Sequence, residues 1–174
     1  MCHTEYRSCH AGLVYRETEC LVFIWFIMKK TWVIGYGNPL RSDDGIGWAL
    51  AEQLEKICSD PDLEIQTFIQ LVPEMAARFK DFERIVFIDA AVKGLPGEIS
   101  IVNWTEGRNY DQASTHEFDI GDLVRFSEIN QSDLPELFLF TVSGSDFSVG
   151  DTLSAVVRDK APNILKTLEK LVVG

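Results

Sequence analysis

The chain has 174 residues, a formal net charge of −11 and 46% hydrophobic residues, enough for one globular domain with a sizeable core. Such an acidic surface repels phosphate backbones and anionic lipid, which argues against nucleic acid and membrane surfaces as partners. Three of the four cysteines (Cys2, Cys9, Cys20) crowd into the start, leaving Cys58 alone, so no disulfide framework can hold the fold.

Residues 1–27 differ from the rest. They mix Cys, His, Arg and Glu and then run into Leu21-Val-Phe-Ile-Trp-Phe-Ile-Met28, an apolar stretch far short of the roughly 20 residues a bilayer span needs. Lys29 and Lys30 follow that stretch, whereas a signal peptide carries its positive residues first. Residues 1–27 are therefore expected to be an atypical leader that is not translated natively, with the true start at Met28. A metal site from Cys2-His3, Cys9-His10 and Cys20 is the rival reading, but the spacing matches no standard zinc pattern. A single α/β domain is expected over 28–174.

From Met28 onward the apolar periods alternate. A first strand spans Thr31–Tyr36 and is followed by a Gly- and Asn-rich turn with two adjacent acids, Asp43 and Asp44. A helix follows, with Ile46, Leu50, Leu54 and Ile57 on one face. A second strand is expected over Glu64–Gln70, with Ile65 and Ile69 turned inward, then a helix starting at Leu71-Val-Pro with Pro73 in its first turn. The run Arg84–Ala91 is apolar throughout and ends in Asp89, as a central strand buried on both faces would be. A fourth strand, Glu98–Trp104, a polar loop holding His116, a helix over about Glu117–Glu128 and a fifth strand, Glu136–Val142, come next. The last helical segment spans about Thr152–Val172, with a kink or break expected at Pro162. Strands alternating with helices predict a three-layer αβα fold around a mainly parallel, twisted sheet.

Three kinds of chemistry compete for the loops at the carboxyl ends of these strands, where open α/β sheets bind ligands. Gly35-Tyr-Gly37 hints at a dinucleotide fingerprint, but Leu40 stands where the third Gly belongs and the acid pair would repel a pyrophosphate. A Ser or Cys nucleophile is disfavoured: Ser143-Gly-Ser145 reads as a turn, and Cys58 ends a helix far from that edge. A metal site fits better. If the first and third strands pair, Asp43 or Asp44 and Asp89 converge, and carboxylates brought together call for a cation or a proton between them. With His116, the one imidazole beyond the leader, they make an O/O/N set suited to nickel or zinc more than to magnesium. Asp43 is expected to cap the helix, leaving Asp44 to bind. The bland alternatives are a second capping acid, a strand-terminal Asp that accepts backbone bonds, and a solvated His.

The stretch Gly35-Tyr-Gly-Asn-Pro-Leu-Arg-Ser-Asp-Asp-Gly-Ile-Gly47 resembles the signature of the hydrogenase maturation proteases, as do Phe87-Ile-Asp-Ala90, Thr115-His-Glu-Phe-Asp-Ile-Gly-Asp-Leu123 and the last helix. The resemblance covers about residues 31–172. It implies a five-stranded sheet between helices and a hydrolase, an endopeptidase that removes the C-terminal extension of the nickel-loaded NiFe hydrogenase large-subunit precursor. By the same resemblance the metal-binding and catalytic residues fall on Asp44, Asp89 and His116. Nickel is expected to arrive with the substrate protein, and zinc or cadmium to be accepted in vitro. The two carboxylates could instead activate water in the manner of an aspartyl protease. Some members of the family carry Glu where this chain has Asp44, which reaches less far. Leu71-Val-Pro-Glu-Met75 is similar to a segment of the maturases that serve bidirectional or cofactor-reducing hydrogenases. A cytoplasmic monomer is expected. Other readings are a magnesium-dependent receiver-like or phosphoryl-transfer domain and a non-catalytic nickel chaperone. The loop after the fifth strand lacks the Lys a receiver needs there.

Overall fold

The computed structural model describes residues 29–105, 119–130 and 133–173. The leader and the proposed start at Met28 lie outside the described residues, as does His116. The elements are β1 (Thr31–Tyr36), a 3₁₀ turn (Ser42–Gly45), α1 (Ile46–Ile57), β2 (Leu63–Phe68), a 3₁₀ segment (Pro73–Asp81), β3 (Arg84–Ala91), β4 (Ile99–Asn103), α2 (Ile120–Asn130), β5 (Glu136–Ser143) and α3 (Ala155–Val173). The strands form one sheet in the order β2-β1-β3-β5-β4, all parallel except β4, which runs antiparallel to β5.

Alternation along the inner strands feeds two cores. Trp32, Ile34, Ile85 and Phe87 face one side, against Leu71, Met75 and Phe79 of the 3₁₀ region and Ile120 and Leu123 of α2. Val33, Val86 and Ile88 face the other, against Leu50 and Leu54 of α1 and Ile164 and Leu168 of α3. The sheet is thus covered on both faces, as a mainly parallel sheet must be. The apolar run of β3 reads as it does because it serves both cores. Among the described residues no helix is long and apolar enough to cross a membrane.

Several boundaries differ from expectation for physical reasons. β2 stops at Phe68, opposite Tyr36, because β1, its only ladder partner among the described residues, ends there. The Phe68 carbonyl then takes Gly37 N–H at 3.1 Å and Trp48 Nε1–H at 2.9 Å. Ile69 therefore leaves the sheet and stands 63% exposed rather than inward. Ile57, the last residue of α1, is likewise exposed, past the end of the surface its helix covers. The helix expected from Leu71 is a 3₁₀ segment beginning at Pro73. The helix expected from Glu117 begins at Ile120, where Asp119 and Asp122 cap it reciprocally: Asp122 N–H donates to Asp119 Oδ1 at 2.9 Å and Asp119 N–H to Asp122 Oδ2 at 3.2 Å. α3 begins at Ala155, after Ser154, and runs through Pro162 without a break. Pro162 is on the exposed side, where water can take the carbonyl its missing N–H leaves free.

Candidate active site

The chain steps from β1 outward to β2, then returns to β3 on the other side of β1, so the order reverses between β1 and β3. That switch point is where a crevice opens in such sheets. The two acids singled out from the sequence flank it: Asp44 in the turn after β1, Asp89 near the end of β3. Close packing brings them together. A Cβ on Gly47, in the first turn of α1, would sit 2.6 Å from the carbonyls of both Ile88 and Tyr36. Only glycine lets the helix start rest directly on the ends of β1 and β3. The glycines of this stretch therefore serve helix–strand contact rather than a phosphate cradle.

Asp43 and Asp44 have divergent fates. Asp43 is fully buried. Its Oδ2 accepts the N–H of Ser145 at 2.7 Å and of Asp146 at 3.0 Å, and its Oδ1 accepts the N–H of Ser154 at 2.8 Å. Burial pushes its carboxyl up, but hydrogen bonds from Ser145, Ser154 and Asp146 outweigh this and hold it below its ordinary value. The expected cap on α1 is not made: Gly45 is the N-cap, with no side-chain bond. Asp43 instead fastens the turn after β1 to the loop after β5. Ser42 N–H reinforces the join by donating to the Gly150 carbonyl at 2.9 Å, and Gly150 N–H donates to the Leu40 carbonyl at 3.0 Å. Ser42 takes a left-handed φ of 47° to make the turn, a strain of about 1 kcal/mol for a residue other than glycine.

Asp44 is partly exposed and accepts Asn38 N–H at 2.9 Å through Oδ2. Asp89 is held at both oxygens. Tyr36 Oη donates to its Oδ2 at 2.7 Å, and Ala90 N–H donates to its Oδ1 at 2.7 Å. Burial raises the Asp89 carboxyl to about 6; these two bonds oppose the rise and the charge of Asp44 adds to it. Burial first, then Asp89 and Asp119, also lifts the Tyr36 hydroxyl well above its ordinary value, so it keeps its proton and remains a donor.

The pair is thus partly desolvated and mutually repulsive, with charge that a cation would offset. Its donor set is carboxylate oxygen, which a borderline divalent ion accepts readily when imidazole is added. Among the described residues no third His, Cys, Asp or Glu joins the pair into a metal-holding cluster. His116 lies outside the described residues. Asp119, three positions along the chain from it, is near enough to Tyr36 to act on its hydroxyl. Tyr36 and Asn38 were not singled out from the sequence. The register that sets β1 beside β3 would have pointed to Tyr36, the strand residue just past the Gly35–Ile88 pair. Cys58 is a half-buried free thiol, raised by burial and by Glu169 and Asp60, consistent with an inert packed residue.

No family model matches the chain, and no curated protein does. Solved structures do. The NiFe hydrogenase maturation protease HycI from Thermococcus kodakarensis KOD1 superposes with a TM-score of 0.66 at 21% identity, over 88% of this chain and 99% of that one. The chain has the fold of the hydrogenase maturation proteases. The hydrogenase maturating endopeptidase HybD from E. coli gives a TM-score of 0.70 at 21% identity, over 82% of this chain and 91% of that one. A hydrogenase 2 maturation peptidase from a Thaumarchaeota archaeon gives 0.60 at 22% identity, over 83% and 99% respectively. At such identities the likeness is one of fold, and the chemistry rests on the residues themselves.

Proposed function

We propose that this protein is an endopeptidase that removes the C-terminal extension of a nickel-loaded NiFe hydrogenase large-subunit precursor. The observation that carries the reading is the pair Asp44 and Asp89, brought to the β1/β3 switch point of a fold shared with peptidases of that kind. His116 completes the set in this reading; the three residues from it to Asp119 reach at most about 10 Å. Nickel belongs to the substrate here. A site of two carboxylates and one imidazole is weak and open enough to share an ion that another protein presents, and zinc or cadmium would substitute in vitro. The enzyme acts as a cytoplasmic monomer on this reading.

The chain's own groups account for the chemistry. Asp44, Asp89 and His116 grip the presented ion and so fix the scissile bond beside them. A carboxylate oxygen left free accepts a proton from water as the water oxygen attacks the scissile carbonyl. The C–N bond breaks and the departing amine takes up that proton. Tyr36 and Ala90 N–H hold the Asp89 carboxylate in one orientation throughout. The phosphoryl-transfer alternative, which would use Asp43, Asp44 and Asp89 on magnesium, is weakened because Asp43 is buried and already spends its oxygens on the N–H groups of Ser145, Asp146 and Ser154.

The test is to incubate nickel-loaded large-subunit precursors with wild-type protein and with Asp44→Asn, Asp89→Asn and His116→Ala, and to weigh the products. Wild type should release a short C-terminal peptide and each variant should lose activity by about 10³-fold or more. Binding without release would identify a chaperone, and full cleavage by all three variants would end the assignment.

A further inference from the structure

The loop from β3 to β4 carries two apolar side chains into water. Val92 is 80% exposed and Leu95 73% exposed, and both follow closely on Asp89 in the chain. Four bonds hold the loop in place. Ser143 Oγ donates to the Lys93 carbonyl at 2.8 Å, and Gly97 N–H donates to the Ser143 carbonyl at 2.6 Å. Leu95 N–H donates to Glu98 Oε2 at 2.9 Å, and Lys160 Nζ donates to the Pro96 carbonyl at 2.7 Å. Gly94 and Gly97 take φ of 106° and 76°, and a Cβ on Gly97 would collide with the Lys160 side chain. The loop is thereby anchored with Val92 and Leu95 in solvent, so it presents apolar surface at the carboxyl edge of the sheet, just past the end of the strand that carries Asp89. Rigid display of this kind lowers the ordering cost of binding, and exposed apolar surface at a site marks a contact.

The charges narrow what fits. Asp44 and Asp89 at the same edge of the sheet, within a chain of net charge −11, repel an acidic segment, while Lys93 on the loop is exposed. The complement is an apolar, non-acidic stretch of polypeptide. We propose that Val92 and Leu95 are specificity-determining contacts for apolar residues of the substrate that flank the scissile bond, an inference that rests on the endopeptidase reading above.

The experiment measures tail release from nickel-loaded large-subunit precursor by wild-type protein, by the double variant V92S/L95S and by Ile57→Ser. Ile57 is 53% exposed at the opposite end of the sheet and serves as the control. V92S/L95S should raise KM about tenfold while kcat stays within about twofold, the pattern of lost binding rather than lost chemistry; Ile57→Ser should move neither. A precursor with serine in place of the apolar residues flanking the cut should lose about tenfold in kcat/KM with wild type and show no further loss with V92S/L95S. Both replaced side chains stand in solvent, so the thermal midpoint of the double variant should match wild type. Wild-type cleavage with an unmoved KM in V92S/L95S overturns the role of the loop alone. Failure of wild type to cleave any precursor overturns the endopeptidase reading and this inference with it.

Discussion

Glu136 and Asp89 lie at opposite ends of the sheet, and their surroundings shift them in opposite directions. At the amino end Glu136 is partnered by Lys29 and by Arg84 Nε at 3.1 Å, and Arg84 also donates to the Leu171 carbonyl at 3.1 Å. The Lys29 bond, against some burial and with help from Arg84, lowers the Glu136 carboxyl. At the carboxyl end Asp89 has no cation beside it among the described residues, and burial raises it to about 6. One end is closed by its own ion pairs. The other holds charge in reserve for something that arrives from outside, and in the proposed function that is the substrate's nickel. Strain and unpaired charge concentrate where a protein acts, at the expense of its stability.

The largest effect that would break this contrast is chemical. Asp44→Asn or Asp89→Asn should reduce tail release by about 10³-fold, whereas Glu136→Gln should leave it within about twofold, both read from the mass of the processed subunit. If Glu136→Gln were equally damaging, the division of labour between the two ends would be wrong.

Next comes Asp43, which shows that the carboxyl end is not merely loose. Asp43→Ala would leave the N–H groups of Ser145, Asp146 and Ser154 without their acceptor, and should lower the unfolding free energy by about 4 kcal/mol in denaturant titration. A loss under about 1 kcal/mol would mean that water replaces the carboxylate easily.

Asp89 itself should behave in the opposite sense. Its folded value near 6 lies above the ordinary value of 3.8, so between about pH 4 and pH 6 the folded protein binds more protons than the unfolded chain. Its contribution to stability therefore falls as pH rises through that window and stays low above it. Asp89→Asn should gain about 1–2 kcal/mol at pH 7 and flatten that part of the pH profile, while abolishing activity. A destabilised Asp89→Asn would show instead that the Tyr36 and Ala90 bonds dominate.

The smallest effect belongs to the amino end. Glu136→Gln should cost about 1 kcal/mol or less at neutral pH, because its ion pairs are partly exposed. With a lowered folded value, the stability Glu136 supplies is present above its ordinary value of 4.5 and lost as pH falls through the folded one, so the variant should converge with wild type in acid. The signs for Asp89 and Glu136 are opposite, and comparing the two profiles separates the two ends of the sheet in one experiment.

Local pattern was enough for much of this protein. The bounds of β1, α1 and β3 follow from apolar periodicity closed by glycine or acid, and two of the three candidate ligands, Asp44 and Asp89, could be placed near one another once β1 and β3 were paired. Where an element's end depends on a neighbour, the pattern failed. β2 ends because β1 does, and α2 starts late because Asp119 and Asp122 hold each other's N–H. The helix through Pro162 continues because its freed carbonyl faces water.

The acid pair after β1 marks the same boundary. By sequence alone, residue type and spacing put two carboxylates at the head of α1 and the family resemblance marked Asp44 as the ligand, but nothing there showed what Asp43 would bond to. The tertiary structure decided it. The loop after β5, more than a hundred residues away in the chain, brings three backbone N–H groups against Asp43. A buried carboxylate must have such donors, and its neighbour Asp44 is left at the β1/β3 crevice with Asp89.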